Sequence, residues 1–187
     1  GFNLSCVGDE RAYSHVESRT GNTLADSALQ SALIGLDNVT TYSFLERGSD
    51  ERQYCSPGVD LPFCGFCRTK YGEYPEYHTS ADNFDVVTAD GLNGSFNVMK
   101  TIIDAFEVNL FPKINVKCEP QLGKRGLRPN ISQKGYMGDI TTRSNFIAYA
   151  DGEHSLFDIA NLINKNLKFV IEEVVILTKH RLIEDKE

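Results

Sequence analysis

The stretch Tyr77-His78-Thr79-Ser80-Ala81-Asp82-Asn83 is the densest chemical feature of the sequence. A histidine on an irregular loop after a strand can ligate a metal through one imidazole nitrogen. Asp82, four residues on, is spaced to orient that ring or to meet a substrate. Gly8-Asp9 closes the first apolar run, so Asp9 is a second candidate ligand at a strand end. Arg47-Gly48-Ser49-Asp50-Glu51-Arg52 also follows a predicted strand. Loops at the ends of α/β strands are where ligands bind, which makes Asp50 and Glu51 candidates for contacts around a site. Each feature has a plainer reading: a surface histidine beside a solvated aspartate, or a charged turn.

Cys64-Gly65-Phe66-Cys67 is a CxxC. A structural zinc site normally takes four ligands, and no second CxxC is present. A redox pair belongs at a helix N-terminus, whereas this one falls in a predicted strand that sends the two thiols to opposite faces. Buried thiols are the better expectation. There is no G-x-S-x-G elbow and no glycine-rich phosphate loop.

The elements that would position these groups alternate between strand and helix. Strands are predicted at 2–7, 40–45 and 59–68, with a loop over 48–58. Helices are predicted over 23–36, capped by Asn22, and over 92–110, where Phe96, Met99, Ile103 and Phe106 share one side. That order predicts half of an α/β sandwich over 1–110. Pro112, Pro120 and Pro129 mark 111–135 as a connector. From 136 to 187 the pattern is helical: a short run at 144–150, a helix at 156–163 opened by Ser155 and Asp158 as a capping box, and a longer one at 169–183. Short helix, helix, longer helix is the pattern of a winged-helix module.

The 187 residues are 41% hydrophobic and 24% charged, an ordinary globular mixture that excludes disorder and collagen. No apolar run is long enough for a membrane helix and the start has no signal-peptide pattern, so the expected setting is cytoplasmic, without membrane contact. Five cysteines, an odd number, fit reduced thiols there. A net charge of −7 argues against generic attraction to nucleic acid. The last module holds six Lys or Arg against nine Asp or Glu, with Glu172 and Glu173 where a recognition helix would meet DNA. Packing against a domain or partner is the better expectation there.

Together the pieces resemble a known family. His78-Thr79-x-x-Asp82, followed by Asp85-Val86-Val87, is similar to the C-terminal metal-ligand motif of the zinc aminopeptidases, exopeptidases with an α/β sandwich. Gly48-Ser49-Asp50 and Gly58-Val59-Asp60-Leu61-Pro62 resemble their Ser-Asp-His and Gly-Ile-Pro stretches. The closer likeness is to a bacterial aminopeptidase-like domain of unknown function. It is carried by the strings from Arg47 to Gly58, Lys70 to Ser80 and Cys118 to Leu127. That branch ends in a winged-helix module, whose start resembles Asp151-Gly-Glu-His-Ser-Leu-Phe-Asp-Ile159.

The resemblance implies the C-terminal half of a zinc-exopeptidase-like sandwich followed by a small winged helix. It implies one or two zinc ions in the intact protein, with His78 as a late ligand and a peptide or aminoacyl substrate. The family's early ligands and its general base, a glutamate, have no counterpart in this sequence, so the chain by itself is expected to be inactive. Ser5 stands where relatives carry an aspartate ligand, and Asp9 is the nearest substitute. A half-sandwich also predicts an open sheet edge, covered by a second copy or by the other half. A protein that keeps the fold for binding or assembly is the alternative.

Overall fold

The computed structural model describes residues 1–127 and 137–184. The chain forms two compact units, Gly1–Ile102 and Ile103–Glu187. The sequence-based connector reaches 135, and its part from 128 onward lies outside the described residues.

The first unit is built on a four-stranded mixed sheet: β1 (Phe2–Leu4), β2 (Tyr13–Val16), β3 (Val39–Tyr42) and β4 (Cys64–Cys67), in the order β1-β4-β2-β3. β1 runs parallel to β4, β4 antiparallel to β2, and β2 parallel to β3. The parallel pair β2 and β3 needs a crossover, supplied by helix α1 (Leu24–Leu33). Ala25, Ala28, Leu29, Ala32 and Leu33 repeat at helical spacing and are buried, so α1 has one apolar face. Thr23, not Asn22, caps it: the Thr23 side chain accepts from the Asp26 N–H, and the Asp26 carboxylate accepts from Thr23 N–H at 2.9 Å. This reciprocal box satisfies two backbone donors, which a cap one residue earlier would leave free.

Several boundaries differ from the expectations for local reasons. The first strand stops at Leu4 because Cys6 turns to φ 51°, a left-handed conformation that leaves the sheet. β2 was not anticipated: Tyr13–Val16 is short, and His15 and Ser14 interrupt its apolar pattern although both are buried. The second predicted strand breaks after Tyr42, where Ser43 caps a 3₁₀ turn over Phe44–Glu46. The expected loop at 48–58 contains the short helix α2 (Glu51–Tyr54). The third predicted strand is ordered as β4 only over Cys64–Cys67, all four residues buried. Helix α3 spans Ala89–Glu107.

The second unit contains α4 (Met137–Tyr149), α5 (Leu156–Leu162) and α6 (Leu167–Lys179). The capping box at Ser155 is present, with Ser155 Oγ donating to Asp158 Oδ2 at 2.6 Å. Phe146, Leu156, Phe157, Ile159, Leu167, Val170 and Leu177 form its core. Two antiparallel bridges, Lys113 with Asp151 and Ile114 with Ile183, make the small β element expected of a winged helix. Arg143 grips Glu173 through two hydrogen bonds of 2.6 and 2.9 Å, so this acid of α6 is an internal anchor. No helix among the described residues is long and apolar enough to cross a membrane.

Candidate functional site

β1 and β4 are parallel and end together, which places the loops that follow them side by side. Three contacts lock that end of the sheet. Arg68 N–H donates to Cys6 C=O at 3.0 Å. Thr88 N–H donates to Gly8 C=O at 2.9 Å, and Ser95 Oγ donates to Val7 C=O at 2.7 Å. α3 can approach this closely only because residue 91 is glycine: a Cβ there would lie 1.9 Å from the Gly8 carbonyl oxygen.

The carboxylate of Asp9 completes the lock. It accepts from Arg11 N–H at 2.9 Å, from Thr69 N–H at 2.8 Å and from Thr69 Oγ1 at 2.7 Å. With a relative exposure of 4%, Asp9 is a brace between the loops after β1 and β4. Its acceptor capacity is mostly spent on these donors.

Beside this brace lies a cavity of about 290 Å³. Cys6, Asp9, Tyr74 and Asp82 supply its polar lining. Val86, Val87 and Leu92 supply much of the apolar wall. Tyr74 donates to Asp82 Oδ2 at 3.1 Å. Burial, then the neighbouring Cys6 and Asp82, hold the Tyr74 hydroxyl far above the usual phenol range, so it stays a proton donor. The pocket sits at the carboxyl ends of a parallel strand pair, where α/β proteins place ligands.

The structure therefore brings Asp9 and Asp82 into one pocket. His78 does not line it. It is exposed on a left-handed turn at φ 59°, its ring stacked on Tyr77 with centroids 3.9 Å apart. Its ring nitrogens have no hydrogen-bond partner among the described residues, so the imidazole is available as one donor. Asp50 is exposed at the start of α2 and makes no side-chain cap.

Glu51 is buried and faces inward. It accepts from Gly48 N–H at 2.9 Å, Ser49 N–H at 3.0 Å, the Tyr71 hydroxyl at 2.8 Å and Asn3 Nδ2 at 2.6 Å. Burial pushes its carboxyl up, but the donors from Ser49, Tyr71 and Gly48 outweigh it and leave the group below the ordinary glutamate value. Glu51 is the internal knot of the 48–54 segment.

Sequence reasoning missed a second cluster. His15, Asp26 and Cys64 are all buried, with potential ligand atoms within 4.8 Å of one another. The pattern in the sequence that could have found it is the Thr23-x-x-Asp26 capping box following a buried strand. The cluster fits a metal poorly. Asp26 already accepts from His15, Ser18 and Thr23, and burial raises the Cys64 thiol far above its usual value, against the thiolate a metal needs.

Residues 1–109 match the family described as "Domain of unknown function (DUF4910)", more than half of the chain. The chain belongs to this family. Residues 110–185 of this DUF4910 protein match a winged helix-turn-helix family. A relative in Clostridium acetobutylicum is 36% identical over 163 residues. It is provisionally named a polysaccharide biosynthesis protein with an aminopeptidase-like domain. The alignment covers 86% of this chain and 37% of that relative. A crystal structure from the same organism, provisionally named a peptidase, superposes with a TM-score of 0.80 at 30% identity. It covers all of this chain and 42% of its own. The DUF4910 chain thus has a peptidase-like fold joined to a winged helix, and spans well under half the length of these relatives.

Proposed function

We propose that this DUF4910 chain is part of a zinc-dependent aminopeptidase-like hydrolase acting on peptide or aminoacyl substrates. The observation that carries the reading is His78: a free imidazole, presented on a left-handed turn, within a fold that matches a peptidase-named structure over its whole length. His78 fits a metal as one donor, and Asp9 fits less well because three donors already occupy its carboxylate. The remaining ligands and the general base are assigned to the additional length that the relatives carry. Zinc in such a site would polarise a scissile carbonyl and acidify a bound water. Asp82 and Tyr74 line the pocket beside Asp9. Asp50 and Glu51 remain candidates for substrate or supporting contacts in this reading, Asp50 as a surface acid and Glu51 as the internal support of the 48–54 segment.

The same reading divides the chain at 1–110, 111–135 and 136–187, and leaves β1 as an edge strand to be covered by a second copy or by the relatives' extra segment. Glu172 and the half-exposed Val175 on α6 support a packing role for the winged helix rather than insertion into a DNA groove. Free thiols at Cys6, Cys55, Cys64, Cys67 and Cys118 fit a reducing, cytoplasmic setting.

Zinc content of the full-length protein, purified without chelators and measured by elemental mass spectrometry, tests the reading. One or two zinc per chain, lowered by His78→Ala together with aminoacyl hydrolysis, supports it. No metal bound, and none taken up on dialysis, favours a binding protein that kept the fold. Ser5 at the usual aspartate position and the occupied Asp9 carboxylate are what favour that second reading.

A further inference from the structure

We infer that the outer face of α3 is the interface of a symmetric dimer of this chain, in which two copies of α3 pair antiparallel about Met99. The inference goes beyond the hydrolase reading and rests on no part of it. α3 is one continuous helix, Ala89–Glu107, and its residues fall into three sectors. Gly91, Ser95, Val98, Ile102 and Ala105 are buried, a face of mostly small side chains turned towards the fold. Asn93, Asn97, Lys100 and Glu107 are exposed on a polar sector. Between these two run Leu92, Phe96, Met99, Ile103 and Phe106. They recur at alternating steps of four and three residues, the spacing of a seam between two helices. The helix keeps its small residues for its own fold and turns its largest apolar ones outward, the reverse of a helix that packs on one core and faces water.

Leu92, Phe96, Ile103 and Phe106 are 48, 62, 56 and 38% exposed, and Met99 is half-buried. Phe84, 92% exposed, lies two residues before Val86, which lines one pocket with Leu92, so it extends the stripe at its N-terminal end. At about 200 Å² for a large apolar residue, these side chains expose about 600 Å² per chain. That is the upper end of what a monomer shows, and two copies face to face would cover about 1,200 Å², the lower bound of a stable specific interface. The order of the residues selects a second copy as the occupant. A two-fold axis through Met99 sets Leu92 opposite the partner's Phe106 and Phe96 opposite the partner's Ile103. Each ring then meets an aliphatic side chain, so large and small alternate along the seam. Leu92 and Phe106 both stand seven residues from Met99, and Phe96 and Ile103 stand three and four residues from it. The mismatch is one helical rise, about 1.5 Å, and the flexible Met99 sits at the centre to absorb it. A parallel pair would instead oppose ring to ring and aliphatic to aliphatic, which fills the seam unevenly.

Sedimentation equilibrium of the 187-residue chain tests the inference. A monomer–dimer equilibrium with a Kd on the order of 10 µM is expected, because an interface at this lower bound of area binds weakly. Phe96→Glu and Ile103→Lys, both at exposed positions, should each weaken association by about tenfold or more, since each puts an unpaired charge into the seam. A mixture of the two variants decides the pairing. Across the antiparallel pair the new carboxylate of one chain faces the new ammonium of the other, and the second such contact is native. The mixture should therefore dimerise close to the wild-type affinity, which also shows that both variants are folded. A parallel pair sets each new charge against an unchanged apolar residue and gives no recovery. Leu4→Lys, on the open edge of β1, should leave association unchanged. A chain that stays monomeric at about 200 µM would overturn the inference. So would association that Leu4→Lys abolishes and Phe96→Glu spares, or a mixture no better than its parts. Zinc content and hydrolysis play no part in these readings, so the hydrolase proposal and this one fail separately.

Discussion

His15 Nε2 lies 3.0 Å from Asp26 Oδ1, and neither side chain reaches solvent. The same carboxylate accepts from Ser18 N–H at 2.8 Å, Ser18 Oγ at 2.5 Å and Thr23 Oγ1 at 2.7 Å. One buried anion thus ties β2, the turn after it and the N-terminus of α1 together. His15 Nε2 faces this carboxylate, and its Nδ1 is buried without a hydrogen-bond partner among the described residues. An orphaned nitrogen costs stability, so the network must recover more than it loses. Asp26→Asn, which replaces two of the acceptor sites by donors facing donors, is expected to cost about 3 kcal/mol in urea unfolding.

The pH dependence of that stability follows from the same carboxylate. Burial alone would raise the Asp26 pKa, but the hydrogen bonds from His15, Ser18 and Thr23 win and hold it well below the usual carboxylate range. As pH falls, the unfolded chain therefore takes up this proton first. The stabilisation is complete above the unfolded aspartate value of about 3.9 and drains away as pH drops towards the folded value. The wild-type chain should lose stability steeply below about pH 4, and Asp26→Asn should show a shallower acid limb from a lower plateau. Equal acid slopes for the two proteins would show that Asp26 is not the group responsible.

Asp50 and Glu51 are neighbours in sequence with opposite fates, and stability separates them. Glu51 gathers four donors from three segments, while the Asp50 side chain caps nothing. Glu51→Ala is expected to cost about 2–4 kcal/mol, since it strands the Ser49 N–H and the Tyr71 hydroxyl proton and leaves Gly48 N–H with the Tyr71 oxygen alone. Asp50→Ala should stay within about 0.5 kcal/mol of wild type. Thermal melts of the two variants, side by side, give the comparison. A mild Glu51→Ala phenotype would mean that water replaces the lost acceptor and that the segment is looser than its hydrogen bonds imply.

The limits of sequence reading show in these same residues. Periodicity located α1 and α5 because each has a continuous apolar face and α5 an unmistakable capping box. It located α3 but chose the wrong side: Phe96, Ile103 and Phe106 are exposed, and the buried stripe is Gly91, Ser95, Val98, Ile102 and Ala105, whose small and polar members weaken the apolar signal. It missed β2 because Ser14 and His15 are polar by type yet buried by partnership: Ser14 Oγ donates to Arg68 C=O at 2.7 Å, and His15 meets Asp26. Glu173 misled for the same reason. By type it counts as a surface acid, but it is 3% exposed and bound to Arg143. The pairing partner lies 30 residues away, and no local pattern encodes it. The pocket was legible only in pieces. Asp9 and Asp82 were candidates singly, and their meeting depends on the approach of α3 to Gly8, a long-range event.

That approach makes Gly91 the residue on which the pocket's geometry depends. Any side chain there meets Gly8 C=O at 1.9 Å and Asp9 C=O at 2.7 Å, both backbone atoms that cannot swing aside. Gly91→Ala would gain helix propensity in a bare helix, about 1 kcal/mol. Here the overlap should dominate, for a net loss of about 2 kcal/mol or more and a displaced α3. Denaturant unfolding checks the sign, which is the informative part. A stabilised Gly91→Ala protein would mean that α3 sits further from β1 than the hydrogen bond from Thr88 N–H to Gly8 C=O allows.

Thiol chemistry offers a last check, because the five cysteines occupy graded environments. Cys118 is exposed and Cys6 half-buried, whereas Cys55, Cys64 and Cys67 are enclosed. Burial pushes the Cys67 thiol up to about 12 and the Cys64 thiol higher still, so neither forms thiolate near neutral pH. Reaction rate follows thiolate fraction and access together. In the native chain a disulfide reagent such as dithionitrobenzoate should therefore modify Cys118 quickly and Cys6 more slowly, with the others reacting only as the chain unfolds. The order also distinguishes the two readings of Cys64-Gly65-Phe66-Cys67. A redox pair must offer at least one thiol to its partner, so fast native labelling of Cys64 or Cys67, mapped by peptide mass spectrometry, would restore that reading. Their silence until denaturation would identify the pair as packing residues of the central strand, placed where β4 has neighbours on both sides.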